Sequence, residues 1–142
     1  MSAQKSKQEF EMVIASDPGQ IQAVEKKTSK IARLTGLKED ERDNVAIAVT
    51  EAVANAIFHG NARDKSKKVY IRYSITEQLL IIDIQDEGSG FRPEEIKDPL
   101  APENLLKESG RGVFIVKNLM DDVKFKFTKS GTTVTLIKRL KK

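Results

Sequence analysis

Residues Glu9 to Ile14 (EFEMVI) alternate polar and apolar, the period of a half-buried strand. Asp17-Pro18 follows, and Asp suits an N-cap while Pro suits a first helical turn. Ile21, Val24, Thr28, Ile31 and Leu34 then recur at helical spacing, with Gly36 closing that helix at a C′-type position. The charged run Lys38 to Arg42 opens a second helix that continues to about His59, with Gly60 as its stop. Lys68 to Ser74 and Leu79 to Asp86 read as β-segments around Ile75 to Gln78, a hairpin. Leu79-Leu80-Ile81-Ile82 is too apolar for a strand with one wet face, which predicts a central, covered strand. Asp86 to Gly90 (DEGSG) is a glycine loop. Arg92 to Ser109 is polar and holds three of the four prolines, a long irregular stretch of the kind that forms lids. Gly112 to Met120 predicts a helix that buries Val113, Val116, Leu119 and Met120. Val123 to Lys129 and Thr132 to Leu140 alternate around Ser130-Gly131 and predict a closing hairpin. The resulting order, β-α-α-β-β-loop-α-β-β, segregates strands from helices and favours an α+β two-layer sandwich over a doubly wound sheet.

Composition narrows the chemistry. The 142 residues suit one domain, 1–142, and 39% hydrophobic content supplies one core. The absence of Cys excludes disulfides, thiolate metal sites and Cys nucleophiles, and a single His (His59) leaves little for a zinc site or a His-based triad. Nothing approaches the ~18–20 apolar residues that span a bilayer, and the polar stretch Met1 to Glu9 has no signal-peptide core. The expectation is a cytoplasmic protein without membrane contact. A net charge of +4 is a weak bias. The basic runs at Lys65 to Lys68 and at Lys138, Arg139, Lys141 and Lys142 read as solvated loop and tail. A small basic nucleic-acid binder is the competing class. With aromatics at 6% and no basic-aromatic surface, it has little to stand on, and direct nucleic-acid contact is not expected.

Four stretches carry chemistry-capable residues. On the second helix, Val45, Val49, Ala52, Val53 and Ala56 form a core stripe at ~100° per residue. Asn44, Ala48, Glu51 and Asn55 occupy a sector opposite. Glu51 and Asn55 are neighbours at i, i+4. An Asn carboxamide offers a hard neutral oxygen to a divalent cation, and a Glu can accept a proton from a hydroxyl. Taken alone, the pair reads equally as an exposed polar face. Asp86-Glu87-Gly88-Ser89-Gly90-Phe91 follows the apolar strand. Its Asp could accept from an exocyclic amine, and its glycines admit a flat ligand. A tight surface turn is the alternative. Ser109-Gly110-Arg111-Gly112 stands at a helix start, where free N–H groups suit phosphate. A flexible loop end would read the same way. Gly131-Thr132-Thr133 places a hydroxyl at the last turn, although β-propensity beside a hairpin Gly explains it too. Neither a dinucleotide fingerprint, a Walker loop nor an EF-hand is present.

Order and spacing join the four. A helical Glu-x-x-x-Asn, a strand-terminal Asp-x-Gly-x-Gly-Phe, a lid-like loop, Gly-x-Gly at a helix start and a final Gly-Thr resemble the Bergerat ATP-binding fold of the GHKL ATPases. The segments TEAVANAIFHGN (50–61), SGRGV (109–113) and NLMDDV (118–123) are most similar to the bacterial anti-sigma factor serine/threonine kinases. The resemblance covers nearly the whole chain. It implies a two-layer α/β sandwich with a mixed, mostly antiparallel sheet and helices on one face, holding ATP and Mg2+. By the same resemblance Asn55 holds Mg2+ and Glu51 is the general base. Asp86 recognises the adenine amine with help from Thr132, and Gly88 and Gly90 shape the adenine pocket. Gly110, Arg111 and Gly112 cradle the phosphates. His59 reads as a helix-end structural residue. The implied function is a partner-switching kinase, commonly a homodimer, that binds a sigma factor and phosphorylates a small antagonist protein on Ser or Thr. The alternative is a non-catalytic ATP-binding module that binds a partner protein.

Overall fold

The computed structural model describes residues 8–62, 64–88, 115–128 and 130–140. Strand β1 (Gln8–Ala15) leads through a 3-10 turn at Pro18–Gln20 into α1 (Ile21–Arg33) and α2 (Glu39–Asn55). Then come β2 (Lys68–Ile75), β3 (Leu79–Gln85), a short helix at 115–119, β4 (Asp122–Thr128) and β5 (Gly131–Arg139). The five strands form one sheet in the order β1-β2-β3-β5-β4. Every described pairing is antiparallel, so the expected mixture of directions is absent among them. The α+β segregation and the element order match the expectation.

Local chemistry explains the helix ends. The Asp17 carboxylate accepts the Gly19 N–H at 3.0 Å, and Pro18 occupies the first turn. Beyond α1, Gly36 adopts φ +81°, a left-handed conformation that glycine takes without steric cost. Leu34 falls after the last residue of α1 and is 53% exposed, so it leaves the apolar stripe predicted for it. Glu39, Asp40 and Glu41 sit in the first turn of α2, where acidic side chains face the positive end of the helix dipole. As predicted, Val45, Val49, Ala52, Val53 and Ala56 are buried. Ala48, assigned to the opposite sector, is buried too, as is Ala46. α1 packs alongside α2 while β3 and β5 contact it from the sheet. Small side chains let α2 be enclosed on more than one side.

The strands alternate because, among the described residues, helices cover only one sheet face. Ile14, Val69, Ile71, Tyr73, Ile75, Leu80, Ile82, Ile84 and Leu136 join the core with the helices. β3 is the central strand, as expected, but Leu79 and Ile81 on its second face are only half-buried rather than covered. Register explains this. Glu11, Arg72, Asp83, Thr135 and Lys124 align as one row across all five strands of that face. Arg72 Nε lies 3.8 Å from Glu11 Oε1, and Thr135 Oγ1 donates to Asp83 Oδ1 at 2.5 Å. Cross-strand partners of opposite charge are mutually stabilising and need water nearby. At the far end of the sheet Lys138 Nζ lies 4.0 Å from both Glu41 and Asp121, tying α2, β5 and the exit of the short helix together. Among the described residues no helix is long and apolar enough to cross a membrane.

A polar contact joins α1 to the sheet within the core. Thr28 of α1 and Tyr73 of β2 share a hydrogen bond of 2.7 Å between hydroxyls. Thr28→Val should destabilise by about 1–3 kcal/mol, because it strands a buried phenol. Tyr73→Phe should cost less, since a helical Thr hydroxyl can turn back to a carbonyl one turn earlier. Burial pushes the Tyr73 phenol above its ordinary value of 10.0, with the Thr28 bond acting the other way. The unfolded chain therefore releases this proton first, and stability falls as pH rises above about 10. Urea midpoints across that range should drop less steeply for Tyr73→Phe than for the wild type.

Candidate functional site

The site forms where β3 ends. Asp86, the next residue, is buried. Its backbone N–H donates to Thr132 O at 3.0 Å, extending the β3–β5 ladder by one bond. Its Oδ1 accepts the N–H groups of Thr132 at 2.9 Å and of Gly88 at 3.0 Å. Two backbone donors on one oxygen fix the carboxylate's rotation. Oδ2 points at Gly60, so closely that a Cβ there would stand 2.0 Å from it. Gly88 in turn lies on the Gly60 carbonyl, where a Cβ would come within 2.2 Å of the oxygen. Gly131 has φ +148°, and a Cβ there would meet the Asp86 carbonyl at 2.3 Å. Three glycines from distant parts of the chain close around one carboxylate, each where any side chain would collide.

The helix reaches this point through a change of pitch. α2 ends at Asn55, and Ala56–Gly60 continue as a π turn, closed by the Asn61 N–H on Ala56 O at 2.8 Å. Such wide turns carry one extra residue and recur at functional sites. Glu51 and Asn55 lie one α turn apart, and Gly60 follows Asn55 by one π turn. Of the three, Gly60 is the one that meets Asp86. Glu51 and Asn55 are half-buried, and among the described residues neither side chain has a hydrogen-bond or ion-pair partner.

Of the residues singled out from the sequence, Asp86, Gly88 and Thr132 are thus in direct contact, and Asn55 and Glu51 lie on α2, whose π-turn extension carries the Gly60 that meets Asp86. Gly90, Gly110, Arg111 and Gly112, with the stretch 92–109 expected to form a lid, lie outside the described residues. His59 is exposed at the helix end. Three contributors were missed. Gly60 looked like a plain helix stop, and Gly131 like a plain hairpin glycine. Asn61 is 1% exposed and fully engaged. Its Nδ2 donates to Ser16 Oγ at 2.6 Å and Lys68 O at 3.0 Å, while its Oδ1 accepts the Glu87 N–H at 2.7 Å. The available signal was an Asn directly after the helix-closing Gly. Glu87 accepts from the Lys68 N–H and, at 3.2 Å, from the Tyr70 hydroxyl. Partial burial and the Glu87 charge hold the Tyr70 phenol above its ordinary range.

A family model described as a histidine kinase-like ATPase domain matches residues 14–138. The chain belongs to that family. Within the histidine kinase-like ATPases its sequence is similar to the anti-sigma factor serine kinases. It is 32% identical over 137 residues to the serine-protein kinase RsbW of Bacillus subtilis (strain 168), covering 92% of this chain and 85% of that one. It is 40% identical over 108 residues to the anti-sigma F factor of the same organism, covering 72% and 73%. The structure of the RsbU and RsbW domains of a Mycobacterium tuberculosis protein superposes with a TM-score of 0.70 at 16% identity, covering 94% of this chain and 33% of the other. The chain thus spans one third of that protein, and the likeness is one of fold. The Bergerat-type sandwich expected from the motifs is the architecture observed.

Proposed function

We propose that the chain is an ATP-dependent protein serine/threonine kinase of the partner-switching type. It binds a sigma factor as an anti-sigma factor and phosphorylates a small antagonist protein on Ser or Thr. The observation that carries the reading is the clasp on Asp86. One oxygen is held by two N–H groups, the other faces Gly60, and the helix that bears Glu51 and Asn55, neither with a partner among the described residues, continues into that Gly60. Relatives named serine-protein kinase and anti-sigma F factor support the biological half of the proposal. A sigma-factor partner implies the cytoplasm, and we assign the working unit as a homodimer of one ATPase domain per chain.

The residues fit the nucleotide. A glycine-lined floor admits a flat ring, and a fixed, aimed carboxylate oxygen suits an exocyclic amine such as that of adenine. Thr132, whose N–H already orients Asp86, assists. Gly88 shapes the pocket, and Gly90, outside the described residues, is assigned there by the motif alone. Among the described residues no three His, Cys, Asp or Glu side chains converge. Asn55, whose carboxamide offers a short-stemmed, hard neutral oxygen, would hold a magnesium ion. When bound, it neutralises phosphate charge. Gly110, Arg111 and Gly112 are assigned to the phosphates by the motif, the glycines for close backbone approach and Arg111 for its charge. Glu51 takes the proton from the attacking hydroxyl. The new bond joins that oxygen to the γ-phosphorus, the bond to the bridging oxygen breaks, and ADP leaves.

With labelled ATP, Mg2+ and a cognate antagonist, label should pass to a Ser or Thr of the antagonist. Stoichiometric complex formation without any phosphorylated product would leave only an ATP-binding module.

A further inference from the structure

We propose that Asn61 is a positioning residue for base recognition, setting the aim of the Asp86 carboxylate through the backbone on both sides of it. The inference rests on the reading that Asp86 recognises the purine amine. Asn61 ties the end of the π turn to three separate strand ends. Through Nδ2 it holds Ser16, just past β1, and the first residue of β2. Ser16, itself fully buried, passes the tie on to Lys67 O at 2.9 Å. Through Oδ1 it holds the Glu87 N–H, the peptide that leaves Asp86. Gly60, the neighbour of Asn61 in the chain, presses on Oδ2 of the same Asp86. Fixing Asn61 against the sheet therefore fixes both the peptide after Asp86 and the surface its free oxygen rests on.

The chemistry demands a short carboxamide. Two donors and one acceptor are used, on three partners in different directions. Asp has the acceptor and no donor, Ser has one donor, and Gln carries the same groups one methylene too far. A buried side chain with its capacity so filled holds its neighbours in one arrangement, and losing it leaves several buried groups unpaired at once.

The test compares ATP with purine riboside triphosphate, which lacks the 6-amino group, by equilibrium titration on wild type and Asn61→Ala. Thermal melts without nucleotide accompany each. The wild type should prefer ATP by about 10- to 100-fold, the value of a hydrogen bond to a charged group. In Asn61→Ala that preference should collapse to within about threefold through loss of ATP affinity, with the amine-free analogue binding nearly as before. A merely structural asparagine would lower the melting temperature and weaken both ligands equally, and a preserved preference overturns the inference. A wild type that binds both triphosphates equally overturns the reading of Asp86, and the inference with it. Should Asn61→Ala not fold, Ser16→Ala removes one anchor only. It should reduce the preference by about threefold, and an unchanged preference there counts against the inference as well.

Discussion

Glu51→Ala is expected to slow phosphoryl transfer to the antagonist by about 10²–10⁴-fold, the contribution of a positioned general base, with ATP affinity within about threefold of wild type. The separation follows from where Glu51 sits. Asp86, Gly60, Gly88 and Thr132 form the clasp, and none of the bonds that hold it involves Glu51. Glu51 is two turns earlier on the helix, half-buried and without a partner among the described residues. Its loss should therefore leave the fold intact and the pocket furnished while removing the proton acceptor. Glu51→Gln keeps the shape and loses the basicity, so it should be nearly as slow. Single-turnover transfer of label, measured beside a binding titration, separates the two effects. Equal loss of binding and transfer would mean that Glu51 holds nucleotide. Unimpaired transfer would mean that another group takes the proton.

The strands and the order of elements along the chain are legible because period-two alternation has one physical meaning when one face of a sheet is covered by helices. Ile14, Ile71, Tyr73, Ile82 and Leu136 are where that period puts them. The second face of β3 was misread because Leu79 and Ile81 look like core, whereas the row through Asp83 keeps that face open to water. Ala48 was misplaced for a related reason. Alanine is compatible with either side of a helix, and only the packing around α2 decides. The π turn leaves no trace in hydrophobic periodicity, since one extra residue in a single turn is too short a signal. Without it Gly60 reads as a stop rather than as the floor under Asp86. Asn61 was equally hidden, because a polar residue after a helix reads as solvated until the strands that receive its three hydrogen bonds are in place.

Gly60→Ala is expected to weaken ATP binding by about 10- to 100-fold, the value of a hydrogen bond to a charged group, and to lower stability by about 1–3 kcal/mol, as overfilling a packed site does. Gly60 does not have a positive φ, so alanine suffers no backbone penalty there and the whole effect is contact. The added carbon would stand 2.0 Å from Asp86 Oδ2 and 3.0 Å from its Cβ. Asp86 has no free direction in which to retreat. Its Oδ1 is pinned by Gly88 and Thr132, and the Gly131 backbone abuts its carbonyl. Relief must come from rotating the carboxylate, which surrenders those bonds and the aim of Oδ2, or from moving the helix end that carries Asn55. Either way the purine loses its partner. Gly36→Ala supplies the contrast. Its φ of +81° makes alanine strained, yet nothing lies within 4 Å of the added carbon. It should cost about 1 kcal/mol of stability and leave ATP affinity unchanged. Melting curves with and without Mg-ATP read both quantities at once, because a ligand that binds only the folded form raises the midpoint. Gly36→Ala should keep the full nucleotide-induced rise from a lowered start, whereas Gly60→Ala should lose most of it. A full rise in Gly60→Ala would place the nucleotide away from Asp86.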